Sequence, residues 1–275
     1  MTRFRWPVLA LTVLVLLAAA LPADPPAALP ANDFHFAIMG DRTGLGSAQV
    51  YERVWKEIGQ LHPDFVINVG DTIQGMNDSL AAAEWEELHR LWRSAPYPLY
   101  FTPGNHDIWN DFSRRLYEQQ TGRPAFYSFN FQNAHFTVLD NSISLELSDQ
   151  QHRFLEDDLK ANPDRAPKFV FFHKPFWILP LKLGSGEFPL HRLARQYGVN
   201  YVVCGHVHQL IRIQRDGVVY LDVGSSGGNM ERGTSRGQGF AQGWFYQYVW
   251  VAVNGARAQL QVAELGGKMH PIEDW

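Results

Sequence analysis

The chain has 275 residues, of which 45% are hydrophobic and 19% are charged, and its formal net charge is -4. A chain of this size can form one large domain or two small ones, and the pattern described below favours one. Its mild acidity gives no reason to expect nucleic-acid binding and is typical of ordinary solubility. Cys204 is the only cysteine, so an intramolecular disulfide is excluded, and its apolar neighbours predict a small buried side chain.

The N-terminus has the features of a secretory signal. Arg3 and Arg5 precede a run of Leu, Val and Ala from Val8 to Leu21. This run is shorter than the roughly 20 residues that span a bilayer, and small residues follow it. We therefore predict a signal peptide over residues 1–23, a Pro/Ala-rich linker over 24–33, a folded domain over 34–275, and export to the periplasm or the cell exterior. The alternative is an uncleaved N-terminal membrane anchor, without which we expect no stable membrane partner.

The first third of the domain alternates predicted strands and helices. The apolar run Phe34 to Met39 predicts a strand, and the helical spacing of apolar residues over Ala48 to Leu61, with Ser47 as N-cap, predicts a helix. The next predicted elements are a strand at Asp64 to Val69, a helix at Ser79 to Trp92 capped by Asp78 or Ser79, and a strand at Pro98 to Thr102. This order indicates a parallel or mixed sheet that packs against helices.

The remaining chain is predicted to contain three hairpins and two further helices. The hairpins pair Ala125 to Phe131 with His135 to Asp140, Leu210 to Gln214 with Val218 to Val223, and Tyr246 to Val253 with Ala256 to Ala263. The other predicted elements are a helix at Ser148 to Lys160, a strand at Lys168 to Phe172, a helix at Glu187 to Tyr197 and a strand at Asn200 to Cys204. Because both halves supply strands, we predict the α/β class, with two mixed β-sheets packed face to face in a sandwich flanked by α-helices.

Three segments have the composition of loops. The segment Gly224 to Gly243 is too long and Gly-rich for an ordinary connector, which predicts a functional loop or partial disorder. Trp109 to Arg115 and Phe176 to Phe188 read as loops or short helices beside the predicted site.

Polar side chains recur at the carboxyl ends of five predicted strands. They are Asp41, Asp71, the triplet Asn105-His106-Asp107 after Gly104, His173, and the pair His206 and His208 after Gly205. Open α/β sheets bind their ligands at that edge. Carboxylate, amide and imidazole groups without a thiolate suit Mg, Mn, Fe, Ni or Zn. The sequence therefore predicts a metal-dependent hydrolase.

The order Gly-Asp, Gly-Asp, Gly-Asn-His-Asp, His, Gly-His-x-His resembles the calcineurin-like metallophosphoesterase superfamily from about Asp41 to His208. The resemblance implies the metallophosphoesterase fold and two divalent metal ions, bridged by Asp71. One ion would be held by Asp41, Asp71 and His208, and the other by Asp71, Asn105, His173 and His206. His106 would be the proton donor, oriented by Asp107, and Asn105 would also face the substrate.

The implied activity is hydrolysis of a phosphate monoester or diester, on a small molecule or another phosphorylated substrate, by a metal-bridging hydroxide. Arg42 beside the first ligand could contact a phosphate oxygen, although a salt bridge to a helix explains it equally well. Trp109 and Trp177 would border the substrate or simply pack. The alternatives are a hydrolase of pyrophosphate or other esters, and a non-catalytic metal- or phosphate-binding surface protein. The pair His106-Asp107 argues against the last, because binding alone needs no proton donor.

The first block departs from the family pattern. Most members have Asp-x-His there, whereas this chain has Asp41-Arg42-Thr43, so Thr43 stands in the place of an imidazole. Purple acid phosphatases lack that His and use a Tyr three residues after the bridging Asp, where this chain has Gln74. The first metal therefore has three clear protein ligands, and Thr43, Gln74 or water must complete its shell. This predicts weaker binding of the first ion than of the second.

Overall fold

The computed structural model describes residues 33–44, 46–184, 188–230 and 238–275. The predicted signal peptide, the linker up to residue 32 and Glu187, the first residue of a predicted helix, lie outside the described residues, as does the middle of the Gly-rich segment. No helix in the described ranges is long and apolar enough to cross a membrane.

The first sheet joins the N-terminal strands to the C-terminal ones. Its strands are β1 (Phe34–Met39), β2 (Phe65–Asn68), β3 (Leu99–Tyr100), β10 (Gln247–Asn254), β11 (Arg257–Glu264) and β12 (Met269–Pro271), in the order β12-β11-β10-β1-β2-β3. The strands β1, β2 and β3 are parallel, and β10 pairs antiparallel with β1. The C-terminal strands therefore extend the sheet from β1, the strand that leads into the first site residue, Asp41.

The second sheet comes from the middle of the chain. Its strands are β4 (Tyr127–Phe131), β5 (Ala134–Val138), β6 (Lys168–Phe171), β7 (Tyr201–Cys204), β8 (Ile211–Arg215) and β9 (Val218–Asp222), in the order β4-β5-β6-β7-β9-β8. The four central strands are parallel, and the outer strands β4 and β8 complete antiparallel hairpins. The parallel strands of both sheets deliver their carboxyl ends to one edge of the molecule.

The two sheets pack face to face, and helices cover their outer faces. Phe36 and Phe65 of the first sheet meet Phe136 edge to face at 5.4 Å between ring centroids. The helices α1 (Ala48–Gln60), α2 (Asp78–Trp92) and α3 (Asp111–Thr121) lie on the first sheet, and α4 (Asp149–Ala161), α5 (Ile178–Leu183) and α6 (Pro189–Gln196) on the second. The predicted sandwich of two mixed sheets flanked by helices is confirmed.

Several local predictions need correction. Helix α2 is capped by Asn77, whose side-chain oxygen accepts from the Ser79 amide at 3.0 Å, and not by Asp78 or Ser79. Strand β3 ends two residues earlier than predicted because the amide of Thr102 donates to the Asn68 side chain at 3.1 Å instead of continuing the ladder. The edge strand β12 was not predicted, because three residues that include a proline carry little strand signal.

Candidate metal centre

The loops that follow five strands converge at one edge of the sandwich. Donor atoms of Asp71, His173 and His206 lie within 4.8 Å of one another, as do donor atoms of Asp41, Asp71 and His208. The two groups share Asp71, as the resemblance implied. Asp41 and Asp71 come from the first sheet, and the three histidines come from the second. The site therefore lies at the seam between the sheets.

Asp71 is held in a strained turn by contacts on both of its carboxylate oxygens. Its φ of 53° is in the left-handed region, which a non-glycine residue rarely adopts. One carboxylate oxygen accepts from the His106 amide at 2.9 Å, and the other lies 3.2 Å from Nε2 of His173. Such strain persists where the surrounding structure over-determines it, as at ligand sites. Asp71 is thus aimed by the fold toward the middle of the site.

The histidine rings are oriented by main-chain carbonyl groups. Nδ1 of His173 donates to the Val69 carbonyl at 2.8 Å, and Nδ1 of His208 donates to the Asn229 carbonyl at 2.5 Å. In both rings Nε2 is left facing the carboxylates, with His208 Nε2 at 3.7 Å from Asp41. Metal-ligating histidines characteristically donate their other ring nitrogen in this way, which sets the tautomer and the ring direction.

His206 joins the two groups of donors. Its main-chain amide donates to both carboxylate oxygens of Asp41, at 3.0 and 3.1 Å, and its Nδ1 lies 3.2 Å from Nε2 of His173. Its φ of 78° and that of His208, 60°, are both left-handed. The backbone of the Gly205-His206-Val207-His208 turn is therefore bent so that both imidazoles face the same centre.

Asn105 provides a test of whether a cation fits. Its side-chain oxygen is buried and accepts no hydrogen bond from the residues that the structure describes. Buried polar atoms are almost always satisfied, so an orphaned one needs an explanation such as an ion. An amide oxygen beside carboxylates and imidazole nitrogens that face them forms a donor set that suits a divalent metal. The residues present therefore fit the two metal ions that the resemblance implies.

The carboxylates and imidazoles of the site shift one another's pKa values even without a metal ion. Burial would raise the pKa of Asp71, but the adjacent His173 ring holds it well below its usual range. Burial would lower the pKa of His173, but Asp71 raises it to about 9. Burial raises the pKa of Asp41, and loss of solvent together with His173 lowers the pKa of His206 to about 4. His173 and Asp71 thus favour each other's charged forms, a cation bound beside them would compete with the His173 proton, and metal binding should weaken as the pH falls.

The group that orients the predicted proton donor, His106, differs from the expectation. Nδ1 of His106 donates to the carbonyl of Gln74 at 2.5 Å, which leaves Nε2 for substrate. The carboxylate of Asp107, assigned above to orient His106, instead accepts from the amides of Thr72 at 2.8 Å and Gly104 at 2.9 Å, and also from that of Ile73. Burial and the Asp71 charge raise the pKa of Asp107 to about 7. Asp107 therefore ties two ligand loops together, and the Gln74 carbonyl orients His106.

Arg42, for which a phosphate contact and a helix-side salt bridge were both expected, forms the salt bridge in the structure. Its guanidinium forms a salt bridge of 2.7 Å with Glu87 on α2 and lies over the ring of Tyr51. It contacts the carbonyl of Thr72 at 3.5 Å. The side chain therefore packs toward the helices, and the alternative of a helix-side salt bridge describes it.

Thr43 and the two tryptophans form hydrogen bonds within the protein. The Thr43 hydroxyl donates to the Asp71 carbonyl at 3.0 Å, so it supports the ligand loop. Trp177 is fully buried, and its indole N–H donates to the Cys204 sulfur at 3.2 Å. The Trp109 indole donates to Asp78 at 3.0 Å. The packing alternative therefore holds for Trp177, and Cys204 is buried as predicted.

Two positioning residues at the site escaped the sequence reasoning. The side-chain oxygen of Asn141, just after β5, accepts from the amides of His173 at 3.1 Å and Lys174 at 3.0 Å. The Ser226 hydroxyl, after β9, accepts from the Gly40 amide at 2.8 Å and so supports the turn into Asp41. Both follow strands at the same edge, and that position was the signal that could have identified them.

Two donor groups that share one carboxylate, at the edge of a face-to-face β-sandwich, define a dinuclear metallohydrolase. The family model described as calcineurin-like phosphoesterase matches residues 31–210. The chain belongs to that family, which confirms the resemblance and the predicted enzyme class, a dinuclear metallophosphoesterase.

The curated relatives agree with this class, and a solved structure shares the fold. A 3′,5′-cyclic-nucleotide phosphodiesterase of Nostoc sp. is 26% identical over 189 residues, 65% of this chain and 69% of the relative. Purple acid phosphatase 15 of Arabidopsis thaliana is 30% identical over 77% of this chain, which spans about half (48%) of that relative. A dimetal phosphatase from Danio rerio has the same fold, with a TM-score of 0.59 at 11% identity over 87% of this chain and 98% of that structure.

Proposed function

We propose that the protein is an exported phosphoesterase that hydrolyses phosphate monoesters or diesters with two divalent cations. The observation that carries the proposal is the pair of donor groups joined by Asp71, with His106 beside them. The relatives named as phosphodiesterases and acid phosphatases support it, because both classes cleave phosphate esters.

The residues divide into two ligand sets. Asp41, Asp71 and His208 would hold one cation, and Asp71, Asn105, His173 and His206 the other. When bound, the two cations would supply Lewis acidity to the phosphoryl oxygens and lower the pKa of the attacking water. The metal identity stays open among Mn, Fe, Zn, Ni and Mg, since the donor set accepts each of them.

His106 is the group best placed to move a proton. Its Nδ1–H is committed to the Gln74 carbonyl, so in the imidazolium form Nε2–H is the bond that can reach a leaving alkoxide. Its amide simultaneously holds Asp71, which couples the position of the acid to that of the bridging ligand. A general acid so placed accelerates departure of a poor leaving group more than that of a good one.

The test is hydrolysis of p-nitrophenyl phosphate and bis(p-nitrophenyl) phosphate, with Mn²⁺ and with chelator. We expect turnover that requires metal and is abolished in Asp71→Asn. The matched control is Asp64→Asn, which precedes the amino end of β2 whereas Asp71 follows its carboxyl end, and which should keep full activity. Absence of turnover on both esters, with two cations bound, would instead support the non-catalytic binding protein.

Export is part of the proposal and rests on the N-terminal sequence. Arg3, Arg5 and the short apolar run to Leu21 are the motive. Mass spectrometry of the native protein should find a chain that begins between about residues 21 and 24, outside the cytoplasm. An intact N-terminus in the membrane fraction would establish the anchor instead.

A further inference from the structure

The strongly exposed large apolar side chains show an uneven distribution. In the part of the chain that the structure describes, all of them lie on segments that leave the metal-binding edge of the sandwich. Monomeric proteins scatter single apolar residues over their surface, whereas a concentration at one face marks an interaction site. We call these side chains the apolar rim and describe them in two groups.

The first group borders the His106 half of the centre and consists of Met76, Leu80 and Phe112. Met76 lies two residues after Gln74, whose carbonyl accepts from the His106 ring. The Trp109 indole N–H and the Asn110 side-chain amide both donate to the Asp78 carboxylate at 3.0 Å. These bonds hold the start of α3, with Phe112, against the start of α2, with Leu80.

The second group borders the His173 and His206 half and consists of Ile143, Leu145, Leu179, Leu183 and Val207. Val207 lies between the ligands His206 and His208, and α5, with Leu179 and Leu183, begins five residues after His173.

Hydrogen bonds hold the loop with Ile143 and Leu145 beside His173. The ammonium of Lys174 donates to the carbonyls of Ser142 at 2.5 Å and Ser144 at 3.2 Å. The side-chain amide of Asn141 donates to the Leu145 carbonyl at 2.8 Å. The loop is therefore anchored next to a ligand while its apolar side chains stay outside.

We propose that the phosphate ester cleaved at this site carries an alkyl or aryl group that binds the apolar rim; the inference rests on the proposed function. Val207 lies between the ligands His206 and His208, and Met76 lies two residues after the Gln74 carbonyl that holds the His106 ring. A second copy or a partner protein that covered both groups would therefore also lie over the site residues and block the substrate. The substrate itself is the occupant that can cover the rim during turnover. Apolar burial is non-directional, so the recognised feature is an extended apolar group rather than a particular head group.

The experiment compares two phosphate diesters, p-nitrophenyl methyl phosphate and p-nitrophenyl hexyl phosphate, below the micellar concentration. Their leaving group is the same, so the chemical demand is matched and only the apolar group differs. Each buried methylene strengthens binding about fourfold, and with roughly half of the chain covered we expect kcat/KM to favour the hexyl ester by about 10- to 100-fold.

The variant that tests the rim is Leu179→Ser with Leu183→Ser, whose side chains are 67% and 75% exposed. The hexyl preference should fall toward one while kcat/KM for the methyl ester stays within about twofold, because surface substitutions of this kind change little else. The control is Lys182→Ser, on the same short helix, which should keep the preference. A second pair, Ile143→Ser with Leu145→Ser, should also reduce it.

The outcomes separate this inference from the proposed function. Hydrolysis of neither ester means that the proposed function has failed. Equal kcat/KM for the two esters, or a preference that both rim variants retain, overturns the apolar subsite and leaves the hydrolase standing. Self-association in sedimentation, or binding to phosphatidylcholine vesicles, that is lost in the variants without any ester preference would show that a second copy or a bilayer covers the rim, and would equally overturn the inference.

Discussion

Gly104→Ala is expected to reduce kcat/KM by about 100-fold without unfolding the protein. Gly104 has no left-handed backbone, so alanine is tolerated conformationally and the effect is steric. A Cβ at this position would lie 2.1 Å from the Asp71 nitrogen and 2.3 Å from its Oδ1. Because real Cβ contacts stay above 3.0 Å, the two loops must separate by about 0.9 Å, the difference between 3.0 and 2.1. A displacement of about 1 Å in a catalytic arrangement costs about 10²-fold.

The assay is kcat/KM on bis(p-nitrophenyl) phosphate at saturating Mn²⁺, with metal content measured by mass spectrometry and folding by thermal unfolding. We expect less bound metal together with the lower rate, since Asp71 belongs to both ligand groups. Gly59→Ala is the matched control. A Cβ there meets only the Tyr97 hydroxyl at 3.6 Å, and alanine within α1 should raise stability by up to about 1 kcal/mol. Wild-type rate and metal content in Gly104→Ala would refute the steric reasoning.

Three further outcomes follow from the contacts described above. His106→Ala should keep its metal and lose about 10²- to 10⁴-fold in rate on alkyl leaving groups but less on nitrophenol, and equal losses would remove His106 as the acid. Asp158→Ala should lower the free energy of unfolding at pH 7 by about 1–3 kcal/mol in urea titration, because buried His135, Thr137 and Ser128 lose a hydrogen-bond acceptor. Burial alone would raise the pKa of Asp158, but the hydrogen bonds from His135, Thr137 and Ser128 lower it below its usual value. The stabilisation is therefore fully present above the pKa of the unfolded state and is lost as the pH falls through the pKa of the folded state. A loss of stability that does not change with pH would contradict this. Arg42→Ala should change stability by less than about 1 kcal/mol, since Glu87 is 56% exposed, and leave KM unchanged, whereas a tenfold rise in KM would restore a substrate role.

The ligand positions could be predicted because they follow from strand periodicity. Apolar runs such as Phe34 to Met39 identify buried strands, and a polar residue at the end of each parallel strand must reach the common edge. Turn signals also predicted the three hairpins, and the first two turn at the expected Gln132-Asn133 and Asp216-Gly217. The third turns at Gly255-Ala256, one residue later than the Asn254-Gly255 signal, because Asn254 still pairs with Arg257.

The contacts that orient those ligands could not be predicted in the same way. Three of the histidine rings are held by the main-chain carbonyl groups of Val69, Gln74 and Asn229. Every residue type has a main-chain carbonyl, so the amino-acid sequence does not reveal such a contact. Asp107 was misassigned because its neighbour in sequence, His106, turns away from it to the Gln74 carbonyl. The direction of the Arg42 side chain, in the loop after β1, depends on Glu87, 45 residues away on α2, and no local pattern reveals such a pairing.

The ligands of the site come from distant parts of the chain and from both sheets. The amide of His206 donates to Asp41 across 165 positions of the chain, and the carboxylates and imidazoles belong to different sheets. A cation held between them would act as a cross-link between the N-terminal and central parts of the protein, comparable in effect to the disulfide that a single cysteine cannot form. Binding to the native state alone adds its free energy to the sheet–sheet interface. The metal ligands would therefore also hold the two sheets together. Removal of the metal by a chelator should make the enzyme more susceptible to proteolysis as well as inactive.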